Sequence, residues 1–169
     1  MRKFLNALYD GAAGLAAFFM VLMLIMVLAS IAGREFGFYI RGTDAYAGYF
    51  MAAAGFLALA HTLKKGEHIR VTLLITKLSG TPQKAMEVWS LFAASALASI
   101  AAFYAGKLAF QSWQFNDIST GNDATPLWIP QLSMAIGTLI LAIAFIDELV
   151  MELRGKRVQV ASAESLHNE

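Results

Sequence analysis

Ala12 to Gly33, AAGLAAFFMVLMLIMVLASIAG, runs 22 residues without an Asp, Glu, Lys or Arg. A bilayer core about 30 Å thick needs roughly 20 apolar residues at 1.5 Å of helical rise each, so this segment is long enough to cross one. Three more charge-free stretches follow, Ala45 to Leu63, Val88 to Gly106 and Leu127 to Ile146, of 19, 19 and 20 residues. Inside lipid a lone segment satisfies its backbone hydrogen bonds only as a helix, so the predicted fold class is an all-α membrane protein with four transmembrane helices. The chain has 169 residues, 58% of them hydrophobic, and a mean hydropathy of +0.58, which leaves little for a soluble domain. The expected organisation is one four-helix membrane domain over 1–155, with spans at about 12–33, 45–63, 88–106 and 127–146, and a polar cytoplasmic tail over 156–169.

The connecting segments orient these helices. With both termini on one side, that side also holds the segment between the second and third spans and carries ten of the 13 Lys and Arg residues. The positive-inside rule then places both termini in the cytoplasm. A cleaved signal peptide is the competing reading, since Ser30-Ile31-Ala32 resembles a small-x-small cleavage site. The apolar run before it exceeds the about 7 to 15 residues of such a leader. The chain has no cysteine, which excludes disulfides, a thiolate nucleophile and cysteine-ligated metal.

Val71, Leu74, Ile75 and Leu78 recur at i, i+3, i+4 and i+7, with Arg70 and Lys77 on another face. This pattern predicts a short amphipathic helix on the cytoplasmic surface, its cations near lipid headgroups. Gly80 can end it, and Thr81-Pro82 can start a helix reaching about Phe115, on the order of 50 Å long and therefore longer than the bilayer core. Thr125-Pro126 offers a similar start for the fourth helix, with Trp113 and Trp128 near the same outer interface. Phe4, Leu5 and Leu8 beside Lys3 read as a second surface segment. On the third span Ala94, Ala98, Ala102 and Gly106 form a ridge at four-residue spacing. Small residues so spaced let backbones approach in lipid, whether against a sibling helix or another subunit.

The chemistry is mostly negative. Transporters that couple substrate to ions usually keep ionisable groups near the midplane, and none of the four charge-free stretches holds an acid or a base except His61, two residues from the cytoplasmic end of its span. That position suits an interfacial histidine. The other histidines, His68 and His167, leave the first, third and fourth spans with none, and His61 and His68 sit too close together on adjacent segments to clasp a haem from opposite faces, which argues against a bis-histidine cytochrome. No phosphate-binding loop, HExxH or nucleophile elbow occurs; no enzyme, cofactor or nucleic-acid reading has support. Arg34 closes the first span and Asp44 opens the second. A short loop joins them, so they either pair and fix the angle between the two helices or stand as separate headgroup charges.

Arg34, Asp44 before a span containing Gly55, and then Lys65-Gly66-Glu67-His68-Ile69-Arg70-Val71 together resemble the small membrane subunit of tripartite ATP-independent periplasmic (TRAP) transporters, the DctQ-like family. Thr125-Pro126-Leu127-Trp128-Ile129-Pro130, followed by Gly137, is similar to that family's entry to its fourth helix. Two positions depart: the family often has Glu at Asp44 and an aromatic residue at Gln131. The resemblance, over roughly residues 10 to 150, implies an accessory role in organic-acid uptake across the bacterial inner membrane. A soluble periplasmic protein would capture the substrate, and a separate large DctM-like membrane subunit would hold the sodium and substrate sites. This chain, with no cofactor of its own, would scaffold that subunit and help dock the binding protein. The partner or lipid interface implied is Arg34, Asp44, Gly55, Glu67, His68, Arg70, Trp128 and Pro130, with the ridge of Ala94, Ala98, Ala102 and Gly106. The alternatives are an autonomous homo-oligomeric transporter, whose polar pathway would have to come from Thr62, Ser95 and Ser99, and the membrane anchor of a respiratory complex, recognisable by cofactor absorbance.

Overall fold

The computed structural model describes residues 2–38, 40–65, 81–121 and 123–155. Among them are four helices: α1 (Arg2–Glu35), α2 (Thr43–Lys65), α3 (Thr81–Gln114) and α4 (Trp128–Leu153). Each is long and apolar enough to cross a membrane by length and composition. The amphipathic helix expected after the second span lies outside the described residues.

α1 and α3 each run 34 residues, about 51 Å at 1.5 Å per residue, and so exceed the bilayer core. The expected span of the third helix, Pro82 to about Phe115, agrees with α3 within a residue at each end. The N-terminal segment does not. Rather than a separate surface element, Phe4, Leu5 and Leu8 belong to α1 itself. Leu5 and Leu8 extend a stripe with Tyr9, Ala12 and Ala16 that packs against Leu57, Ala60 and Leu63 of α2 and Ile140 and Ala144 of α4. Burial along that stripe favours carrying the helix through the charged residue Asp10. The fourth helix starts at Trp128, later than Thr125-Pro126 suggested. Leu127 is its N-cap and makes no side-chain cap bond. Thr125 is engaged elsewhere, its hydroxyl hydrogen-bonded to that of Tyr46 at 3.1 Å.

Across the molecule the order is α1, α2, α4, α3: α1 lies along α2, α2 along α4 and α4 along α3, while α1 barely reaches α4. α1 and α3 are thus edge helices, and α2 and α4 a parallel pair at the centre. That pair approaches closely at Gly137, where an added Cβ would fall 2.6 Å from the carbonyl carbon and oxygen of Phe56. No side chain fits against backbone at that distance.

α3 meets α4 along a seam in which Leu91, Ser95, Ala98, Ala105, Ala109 and Ser112 are buried and Ala102 half-buried. The spacing alternates four and three residues, the 3.5-residue repeat that keeps a seam facing its partner. Strict four-residue spacing instead drifts about 40° per step at 100° per residue. Of the ridge, Ala98 is accordingly buried, Ala94 and Ala102 half-buried, and Gly106 exposed with open space around a would-be Cβ.

Candidate functional site at the loop end

The α1–α2 and α3–α4 connections share one end of the molecule. The first is short and sharply turned, with Gly37 and Gly42 at φ of +71° and +80°, the left-handed region that suits glycine. Its fold brings Arg34 to within 3.8 Å of Asp44. Ser30 bridges them: its hydroxyl donates to Asp44 Oδ1 at 3.0 Å and accepts from Arg34 Nη2 at 3.4 Å. Both charged side chains are open, at 76% and 81% exposure, so the pair contributes at most about 1 kcal/mol and its guanidinium and carboxylate stay available to a partner. Ser30, Gly33, Arg34, Gly42, Asp44 and Gly121 line an open cleft of about 440 Å³ here.

The second connection closes over this end as a small hairpin. Ile118 and Pro126 form an antiparallel bridge, the Ser119 N–H donates to the Thr125 carbonyl and the Leu127 N–H to the Asp117 carbonyl, each at 2.9 Å. Asp123 ties the hairpin to α2. Its carboxylate accepts from the Tyr49 hydroxyl at 3.0 Å and the Ser119 hydroxyl at 2.8 Å. The Thr125 hydroxyl foremost, then those of Ser119 and Tyr49 with a backbone N–H, hold its pKa down to about 2. Gly42 lies beneath: an added Cβ there would sit 2.8 Å from Asp123 Cβ. The two loops are therefore fitted to each other as one polar surface.

At the opposite end, where α1 and α3 begin and α2 and α4 finish, Lys64 is bonded to Asp147 and, at 3.0 Å, to Glu148 Oε1. Its ammonium lies 5.3 Å from the centre of the Tyr9 ring. Next to it Asp10 Oδ1 is 3.5 Å from His61 Nδ1, a contact that braces α1 against α2. These contacts join α1, α2 and α4.

Of the residues singled out in sequence, Arg34 and Asp44 come together, and Trp128 and Pro130 begin α4 at the same end. Gly55 is apart from them, exposed midway along α2 with nothing within 4 Å of a would-be Cβ. Glu67, His68 and Arg70 lie outside the described residues. Tyr46, Tyr49, Ser119 and Asp123 escape the sequence reading, in which Ser30 stands only in a cleavage-like triplet and Thr125 only as a helix start and part of the family motif. Their signal was a set of hydroxyls and one acid on the facing ends of α1 and α2 and on the α3–α4 loop, which a four-helix topology must bring to one side. Gln131, at a departure from the family pattern, has its side-chain oxygen buried with no hydrogen-bond partner. The Thr62, Ser95 and Ser99 hydroxyls all donate to carbonyls of their own helices, at 3.0, 2.8 and 2.7 Å, rather than lining a polar path. No group of three or more His, Asp or Glu among the described residues is placed to hold a metal ion.

A family model described as "Tripartite ATP-independent periplasmic transporters, DctQ component" matches residues 23–155. That stretch runs from within α1 to the end of α4 and includes both loops. No curated protein matches the chain.

Proposed function

Since this chain belongs to the DctQ component family of tripartite ATP-independent periplasmic transporters, a transporter subunit and not an enzyme, we propose that it is the immobile frame of a sodium-coupled organic-acid importer. In this reading it sits in the bacterial inner membrane with both termini in the cytoplasm. The Arg34–Asp44 loop end then faces the periplasm. A large DctM-like subunit binds sodium and substrate and moves against the frame, and a periplasmic protein delivers the substrate. This chain itself holds no cofactor or ion.

The observation that carries the proposal is the family match taken with the charge-free cores of the four spans. Binding a coupling ion or an anion at the midplane needs ionisable or unwound polar elements, and the acids and Lys64 gather instead at the helix ends. A docking role for the loop end is supported by its open Ser30–Arg34–Asp44 group at the facing ends of α1 and α2, beside the α3–α4 hairpin that Asp123 ties to α2. Rim charges of this kind chiefly set association rate and specificity.

Reconstitution tests the reading. The purified chain alone in liposomes should give no sodium-driven uptake; adding the large subunit and a loaded binding protein should restore it, and omitting this chain should lower assembly or rate. Saturable sodium-dependent uptake by this polypeptide alone would overturn the proposal in favour of an autonomous transporter. Arg34→Ala and Asp44→Ala should each weaken complex recovery, with the double variant losing less than the sum. Strict additivity would make them independent charges.

A further inference from the structure

Where the first turns of α3 meet the last turns of α4, Lys84, Val88, Trp89 and Phe92 face Leu149 and Leu153 across an open groove of about 550 Å³. Among the described residues Lys84 is its single charged lining residue. Trp89 and Phe92 pack with ring centres 6.0 Å apart and remain 67% and 54% exposed, so the groove has a broad aromatic wall. Lys84 lies four residues before the charge-free run that starts at Val88, at headgroup depth. Phe92 lies two helical turns further in, about 12 Å deeper at 1.5 Å per residue.

The mouth is cationic in three ways. Lys84 stands there; the first turn of α3 contains no acid to offset the positive end of its helix; and Arg154 follows the lining residue Leu153. Of the described acids near the mouth, Asp147 and Glu148 are taken up by Lys64 of α2, Glu152 is buried, and Glu87, three residues after Lys84 on α3, is half-buried and already has a partner; none of the four lines the groove. A cationic rim over an apolar channel that runs into the bilayer matches one kind of occupant in both parts. We propose that this groove seats one acyl chain of an anionic phospholipid, with Lys84 and the amino end of α3 against its phosphate.

The proposal needs only that the helices span a membrane, and so it stands or falls apart from the transport role. Trp113→Phe with Trp128→Phe leaves Trp89 as the single tryptophan of the full-length chain. Its fluorescence in vesicles is then quenched by brominated-chain phosphatidylglycerol or phosphatidylcholine. The expected result is an about fivefold preference for phosphatidylglycerol, the contribution of about one interfacial cation. Lys84→Gln should abolish the preference and Lys84→Arg retain it. Equal quenching by the two lipids, or a preference that survives Lys84→Gln, would overturn the assignment. So would shielding of Trp89 from both lipids, which would put a protein segment in the groove. If circular dichroism shows the single-tryptophan chain unfolded, native mass spectrometry of the wild type against Lys84→Gln gives the same decision: loss of one retained phosphatidylglycerol supports the site, and no difference rejects it.

Discussion

Gly137 sets the separation of the two central helices, because a methyl group there would press on the Phe56 backbone, which cannot turn aside as a side chain can. Gly137→Ala should destabilise the chain by about 2 kcal/mol, read as a lower unfolding temperature in detergent. Gly55 gives the contrast. Its surroundings are open, so Gly55→Ala should be neutral or stabilising by up to about 1 kcal/mol through helix propensity. If Gly55 faces the large subunit, one of the two settings the family resemblance implies for it, Gly55→Leu should leave the unfolding temperature in place while lowering recovery of the complex; unchanged recovery would remove it from the interface. Asp123 carries a pH dependence of definite sign. Its folded pKa, about 2, is below the ordinary 3.8, so its share of stability is present above about pH 4 and fades as pH falls towards 2. An NMR titration should find the low value, and Tyr49→Phe should move it upward. Asp123→Asn should remove this part of the acid sensitivity.

The central helix pair is held by packing along its length and by charge at its end. Lys64, Asp147 and Glu148 are 21%, 21% and 12% exposed, shielded enough that removing one partner leaves charge in a poorly hydrated place. Lys64→Ala should cost about 3 kcal/mol, and adding Asp147→Asn with Glu148→Gln should recover most of it. No recovery would mean that the lysine stem, not its charge, is what matters. On α3 the seam and the ridge make separable predictions. Ala98→Leu overfills the α3–α4 contact and should cost about 2 kcal/mol, whereas Gly106→Leu points into open space and should leave the isolated chain as stable as before. A loss of partner binding in Gly106→Leu alone would identify that edge as an intersubunit face.

An open row of four helices has two edges, and here both are apolar: Leu24, Ile25 and Leu28 of α1 and Leu97, Ile100 and Phe103 of α3 are each more than half exposed. In water such surface would aggregate, but in a bilayer it meets lipid or another membrane subunit at no hydrophobic cost. Orientation is testable at this scale because the chain has no native cysteine. Thr120→Cys, on the α3–α4 hairpin, should react with an impermeant thiol reagent in intact cells, and Lys65→Cys, at the far end of α2, should be protected. The reverse pattern would invert the topology and move Arg34 and Asp44 to the cytoplasmic side.

Four spans, the length of the third helix and the meeting of Arg34 with Asp44 could all be read along the chain, since each depends on local hydropathy, on capping residues or on a short loop. The same holds for family membership, carried by motifs at fixed spacing and matched over residues 23–155. The helix order α1, α2, α4, α3 could not be read, because apolar residues face lipid and neighbouring helices alike and hydropathy no longer separates inside from outside. For the same reason Leu5 and Leu8 read as surface residues, although they pack against a core that α2 and α4 share with α1. Tertiary structure alone decided that Asp123 would tie the α3–α4 hairpin to α2, that Lys64 would find its carboxylates 83 and 84 residues away, and that Gly137 had to be a glycine. Those roles arise from distances between segments far apart in sequence, which no local pattern encodes.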